Sequence, residues 1–219
     1  MPNKNYNILI TGSNGQLGSE IRELSSNYSY NFFFTDRNNI DITSKDSIRS
    51  FCQTNNINVI INCAAYTAVD KAESDELNAD LINRKAVKKL ALVSQELNIK
   101  LIHISTDYVF DGRNFKPYCE EFQTNPQGVY GKTKLDGENE MRDINPKDSI
   151  IIRTSWVYSS FGNNFVKTML RLGREKESLG VIFDQVGTPT YARDLALTIL
   201  DIIPKIINEK VEIYNYSNE

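Results

Sequence analysis

Tyr6-Asn7-Ile8-Leu9-Ile10-Thr11-Gly12-Ser13-Asn14-Gly15-Gln16-Leu17-Gly18 is the stretch that decides the fold class. A short apolar run breaks into glycines spaced Gly-x-x-Gly-x-x-Gly, the pattern of a buried parallel strand turning directly into a helix. Glycines at such a turn let backbone N–H groups approach a pyrophosphate, with the positive end of the helix behind them. Gly12, Asn14, Gly15, Gln16, Leu17 and Gly18 are therefore candidate cofactor-binding residues. The spacing departs from Gly-x-Gly-x-x-Gly and predicts a wider first turn than that of the dehydrogenase fingerprint.

A second apolar run, Tyr30 to Thr35, ends at Asp36-Arg37, eighteen residues beyond Gly18. That is where a carboxylate for the adenosine ribose falls. Asp36 favours a free 2′-hydroxyl, while Arg37 beside it suits a 2′-phosphate, so NADH and NADPH both stay open. Asp41-Ile42 follows as a further cofactor candidate, ahead of Thr43-Ser44-Lys45-Asp46, in which Thr43 and Asp46 read as a capping box. Asp41 either contacts adenine or supports that cap. A helix then runs to about Asn56, and a strand over Asn58–Cys63 ends in Ala64-Ala65-Tyr66-Thr67, small enough for close approach to a flat ligand. Leu77–Leu97 reads as a helix with an apolar face, and Leu101–Ser105 as the next strand. Repeated strand–helix units predict an α/β fold, a Rossmann-like doubly wound parallel sheet. Ligands bind at the carboxyl ends of such strands, and Gly12, Asp36, Ala64, Thr106 and the segment after Ile152 all fall there.

Gln127-Gly128-Val129-Tyr130-Gly131-Lys132-Thr133-Lys134, downstream of Ser105-Thr106-Asp107, carries the acid–base chemistry. Residues four apart share a helix face, so Lys134 stands beside the Tyr130 phenol while Lys132 points elsewhere. A free phenol titrates near pH ~10, and an adjacent ammonium favours the phenolate. Lys134 is therefore expected to lower the proton affinity of Tyr130 and bring proton exchange within reach at neutral pH.

With 219 residues and a 40% apolar fraction, the chain can bury a full core, as one domain or a large domain with a small appendage. A net charge of −3 offers no basic face for nucleic acid. No run reaches the eighteen or so apolar residues of a membrane span, and no charged-then-apolar leader precedes the first strand, so a cytoplasmic protein is expected. Cys52, Cys63 and Cys119 lack paired metal-ligand spacing, and His103 is the only histidine. Neither a disulfide framework nor a metal site is expected, and histidine-based triads are excluded. His103, inside an apolar run, reads as structural.

The segments Thr11–Gly18, Asn62–Glu73, Ser105-Thr-Asp-Tyr-Val-Phe-Asp-Gly112, Tyr130–Glu138, Arg153–Tyr158, Gly162–Phe165 and Asp184–Thr190 together resemble the extended short-chain dehydrogenase/reductase family, and within it the reductases of dTDP-linked keto sugars. The resemblance covers nearly the whole chain. It implies a catalytic triad: Thr106 bonds the substrate carbonyl, Tyr130 donates the proton, and Lys134 holds the cofactor ribose and stabilises the phenolate. It sets Thr67 and Val69 along the nicotinamide, Val69 on the substrate's flank, with Asp107, Tyr108, Trp156 and Asn164 against the sugar. Asn83 falls where the superfamily carries a supporting asparagine.

The implied reaction is hydride transfer from NADPH or NADH to the C4 ketone of dTDP-4-dehydro-6-deoxy-L-mannose, giving dTDP-L-rhamnose. The implied organisation is a cofactor-binding domain over 1–150, with 151–219 supplying the last sheet elements and part of a substrate lobe. The family continues beyond Val211–Glu219, so a small, abbreviated C-terminal lobe is expected, affecting nucleotide-sugar affinity more than cofactor binding. The resemblance leaves a homodimer open. Two alternatives stand beside the reductase. One is a nucleotide-sugar epimerase or 4,6-dehydratase, although Asp107 is followed by Tyr108 where a dehydratase adds Glu. The other is a non-catalytic NADP-binding regulatory subunit, against which the intact Thr106, Tyr130 and Lys134 speak.

Overall fold

The computed structural model describes residues 6–182 and 184–218; Glu219, the last residue of the expected terminal strand, lies outside them. β1 (Asn7–Thr11), α1 (Gln16–Leu24) and β2 (Asn31–Phe34) open the chain, and α2 (Lys45–Thr54) leads to β3 (Val59–Asn62). A short α3 (Val69–Ala72) precedes one helical rod made of α4 (Glu76–Asp80), a π turn (Leu81–Lys85) and α5 (Ala86–Leu97). β4 (Lys100–Thr106), α6 (Val129–Ile144), β5 (Ile150–Thr154), β6 (Val157–Tyr158), α7 (Phe165–Glu175), β7 (Thr190–Tyr191), α8 (Ala192–Ile202) and β8 (Glu212–Tyr216) complete it.

Six strands pair in parallel in the order β2-β1-β3-β4-β5-β8. Strand periodicity explains the two-sided core. Ile8 and Ile10 of β1, Val59 and Ile61 of β3, Ile102 of β4, and Ile150 and Ile152 of β5 face one layer, with Leu17, Ile21, Leu195 and Ile199 of α1 and α8. Leu9, Ile60, Leu101 and Ile151 face the other, against Ile48, Val87, Leu90 and Met141 of α2, α5 and α6. Both faces are covered, as the alternating strand–helix pattern requires. β6 and β7 form a separate two-stranded ribbon. Among the described residues, no helix is long and apolar enough to cross a membrane.

Strand order reverses between β1 and β3, which places the ligand crevice there, at their carboxyl ends. Two boundaries differ from the sequence reading. α2 ends at Thr54, because Asn56 adopts a left-handed φ of 50°. Its N-cap is Ser44, whose hydroxyl accepts the Ser47 N–H at 3.3 Å, whereas Thr43 donates its hydroxyl to Asp41 at 2.6 Å, so the expected Thr43/Asp46 capping box does not form. The tail forms a strand, β8. β8 lies at the sheet edge, where the Asn215 N–H donates to the Glu120 carboxylate at 2.6 Å and occupies backbone that edge strands leave open.

Candidate active site

β1 exits into Gly12 at φ 64°, and a Cβ there would stand 2.7 Å from the Ala64 backbone. Only glycine allows the strand-end loops to approach so closely. The Gly15 N–H closes the turn on the Gly12 carbonyl at 3.0 Å, and Gly15 then caps α1 without a side-chain acceptor. The first-turn N–H groups of α1 are left for an anion, the arrangement a pyrophosphate needs. Gly18 serves packing instead of the cleft: a Cβ there would lie 2.5 Å from Ser13 Cα.

A single cleft of about 1350 Å³ runs from this turn along the carboxyl edge of the sheet. It is lined by Gly12, Asn14, Gly15, Gln16, Leu17, Asp36, Arg37, Asp41, Ile42, Ala64, Ala65, Thr67, Val69, Thr106, Asp107, Tyr108, Tyr130, Lys134 and Trp156. The sequence-derived candidates thus converge on one wall, with Gly18 and Asn164 the exceptions. Asn164 caps α7, accepting the Lys167 N–H at 2.9 Å, and donates to Gln16 at 2.9 Å. Its neighbours Gly162 and Asn163 line the cleft in its place.

At the β2 end of the cleft the Asp36 carboxylate accepts the Asn14 amide at 3.0 Å and the Asn38 N–H at 2.8 Å, which ties the glycine turn to the turn after β2. Asp41 accepts both the Thr43 N–H and its hydroxyl, and these bonds hold its carboxyl below the usual range. A glycine cradle, an uncapped helix start and a carboxylate at the exit of β2 fit a nicotinamide dinucleotide.

At the other end Tyr130 stands in the first turn of α6, with Tyr108 edge-on to it at 5.6 Å between ring centroids. Burial pushes Tyr130 up to about 12, against the neighbouring Thr106 hydroxyl, which favours the phenolate. Lys134 is fully buried, donates to the Ile104 carbonyl at 2.6 Å, and is pulled down to about 8 by burial. The expected depression of the phenol by the ammonium is therefore not what the site displays. Helical spacing brings both groups into one cleft, but low polarity disfavours the charged form of each. Burial likewise pushes the Asp107 carboxyl up, against a hydrogen bond from Thr106.

Supporting bonds come from further away. Asn83, in the π turn, accepts the Tyr66 N–H at 2.9 Å and donates to the Tyr66 carbonyl and to Thr133, each at 3.2 Å. It pins the loop after β3 to α6 and stays outside the cleft lining. Glu73 of the α3 turn accepts the Val129 N–H at 2.8 Å, capping α6 from a distant segment because Gly128 has no side chain to do so. Trp156 holds a left-handed φ of 46°, a conformation bulky residues avoid, with Phe165 at 5.6 Å. Buried Glu20 of α1 accepts the Ser159 hydroxyl at 2.6 Å and so clips the 157–164 loop over the glycine turn. His103 is buried, and its Nδ1 lies 3.0 Å from the Asn62 amide, in keeping with a structural role. Cys63, Tyr66, Lys71, Asn78 and Leu195 also line the cleft and were not singled out from sequence. Their only sequence signal was position after a strand or on a helix facing it.

A doubly wound sheet whose glycine turn shares a cleft with a Thr–Tyr–Lys cluster is the architecture of an extended short-chain dehydrogenase/reductase. Within that class, the chain belongs to the family described as RmlD substrate binding domain, whose model matches residues 6–219. It is 44% identical over 216 residues to a dTDP-4-dehydrorhamnose reductase of Aggregatibacter actinomycetemcomitans, covering 97% of this chain and 73% of that protein. The crystal structure of a dTDP-4-dehydrorhamnose reductase from Clostridium acetobutylicum superposes with a TM-score of 0.91 at 43% identity, over 97% of this chain and 74% of that one. The Bacillus anthracis enzyme of the same name, in complex with NADP, gives 0.92 at 39% identity, over 98% and 75%.

Proposed function

We propose that this chain reduces the C4 ketone of dTDP-4-dehydro-6-deoxy-L-mannose to dTDP-L-rhamnose, using NADPH or NADH. The observation that carries the reading is the convergence of Thr106, Tyr130 and Lys134 with the glycine turn in one cleft. Family membership and reductases at 38–44% identity support it.

Gly12, Gly15, Gln16 and Leu17 would hold the pyrophosphate, Asp36 and Arg37 the adenosine ribose, and Ala64, Ala65 and Thr67 the nicotinamide side. Hydride is what the bound cofactor supplies. As negative charge grows on the ketone oxygen, the Thr106 and Tyr130 hydroxyls stabilise it, and Tyr130 then gives up its proton. A phenol near 12 is protonated throughout the neutral range, so it meets the substrate as an acid. Lys134 offsets the phenolate charge left behind, which costs most in a buried site. Val69, Asp107, Tyr108 and Trp156 flank the position left for the sugar. We read residues 1–150 as the cofactor domain and 151–219 as the last sheet elements with part of the substrate lobe. The protein is assigned to the cytoplasm, with a homodimer as the assembly to test by light scattering.

Oxidation of NADPH and of NADH, followed with freshly generated dTDP-4-dehydro-6-deoxy-L-mannose, tests the reaction. Tyr130→Phe is expected to lower kcat about 10²-fold or more. Turnover that survives removal of the phenol rejects the acid assignment, and oxidation of neither cofactor rejects the function.

A further inference from the structure

The two elements that carry the reacting groups, β4 and α6, meet with β5 on one buried carboxylate. Glu138 is 1% exposed and lies one helical turn beyond Lys134 on α6. Its Oε1 accepts the Ser105 hydroxyl at 2.5 Å and Arg153 Nε at 3.0 Å, while its Oε2 accepts Arg153 Nη2 at 2.7 Å. Ser105 immediately precedes Thr106 on β4, and Arg153 lies on β5, three residues before Trp156. Arg153 commits its fork to Glu138; its Nη1 makes no hydrogen bond among the described residues, and Cζ stands 5.1 Å from the Phe110 ring centre. Charges taken out of water need partners: Arg153 has Glu138 directly, and Lys134 lies one helical turn from the same carboxylate.

We propose that Glu138, clamped by Ser105 and Arg153, is a positioning residue whose buried charge keeps Lys134 cationic and whose hydrogen bonds fix α6 against β4, so that Tyr130 stays opposed to Thr106. This rests on the reading of Tyr130 as the acid and Lys134 as its support. The groups around Lys134 leave Glu138 as the source of the compensating charge. From β4, His103 is held neutral, well below its usual value, by burial and by the Lys134 ammonium itself. From β5, Arg153 adds positive charge. Burial favours the neutral form of Asp107, in the turn after β4, and Tyr130, on the same helix, is a neutral phenol. Asp70 and Glu73 belong to the α3 turn, where Glu73 engages the start of α6. Arg84 and Lys88 of the long rod pair with Glu140 on the outer side of α6. Against burial, which draws Lys134 down to about 8, Glu138 raises it.

The sign follows. Lys134 is cationic below that value and neutral above it, so removing the carboxylate charge moves the loss of the cation to lower pH. In the full-length chain, Glu138→Gln is expected to shift the alkaline limb of the kcat/KM profile down by about one pH unit, a loss that approaches tenfold on the alkaline side of the original limb. Arg153→Lys keeps both charges and gives up the fork, so it lowers the thermal midpoint and leaves the limb in place. Heteronuclear NMR of the Lys134 Cε resonance reads the same titration without turnover, which separates this inference from the assigned reaction. A Glu138→Gln protein whose Lys134 titrates as in the unsubstituted chain, or an Arg153→Lys protein whose limb moves equally far, overturns the proposal.

Discussion

α6 and α7 sit on the same molecule and reverse the usual expectation of what a helix hides. α6 buries Gly131, Thr133, Lys134, Gly137 and Glu138, with Met141 as its one fully buried large apolar side chain. No residue of α7 is fully buried, although Val166, Met169 and Leu172 are partly so, and its Phe165 and Leu170 are 51% and 59% exposed. Hydrophobic burial ordinarily decides which face turns inward. In α6 close backbone approach and an ion cluster decide it, and that same inward face presents Tyr130 and Lys134 to the cleft. In α7 the apolar stripe contributes little to the fold described.

The contrast can be broken at its largest predicted effect by truncating one apolar side chain on each helix. Met141→Ala should cost about 2–5 kcal/mol in denaturant unfolding, whereas Leu170→Ala should stay within about 0.5 kcal/mol. Equal costs would mean that α7 is as well packed as α6. The glycines sharpen it further, because the sign is expected to reverse. A Cβ on Gly137 would stand 2.1 Å from the Asn83 carbonyl oxygen, while one on Gly173 meets nothing within 4 Å. Gly137→Ala should therefore destabilise by about 1–3 kcal/mol, and Gly173→Ala should stabilise by about 0.5–1 kcal/mol through helix propensity alone. The narrowest contrast concerns the remote cap. Glu73→Ala, which strips the acceptor from the Val129 N–H, should lower stability by about 1 kcal/mol and kcat with it, since Tyr130 lies in that first turn. Glu73→Gln, which keeps an acceptor oxygen, should recover most of both.

Much of the sheet was legible because its signals are local. Ile8 to Gly18 combines a run of buried apolar residues with glycines that only a tight turn requires, and the apolar cores of β3 and β4 read equally well. The candidate site was legible where residues sit at strand exits. What was hidden depends on contacts between distant segments. Thr43 and Ser44 are adjacent hydroxyls, either able to cap α2, and only the path of the chain selects Ser44. Helical spacing placed Lys134 near Tyr130 but carried no information on depth, so the direction of the phenol's shift was missed. Glu138 and Arg153 stand in two motif segments with no sign of their pairing, which forms only when β5 is laid beside β4 and α6 is packed over both. Glu73 gave no sign of its service to a helix start 56 residues away.

The π turn at Leu81–Lys85 amounts to a surplus residue absorbed without lengthening the rod. The bulge takes about one extra residue to complete its turn, so deleting one there would restore regular pitch, keep the helix on either side in phase and re-aim only the side chains of the bulge itself. Asn83 would then present its amide to a different neighbour, and the loop after β3, which lines the cleft, would lose its anchor. Length variation along this rod is therefore constrained as tightly as residue identity: an insertion or deletion of one position in the bulge is a change to the site, although no side chain in contact with a ligand is altered.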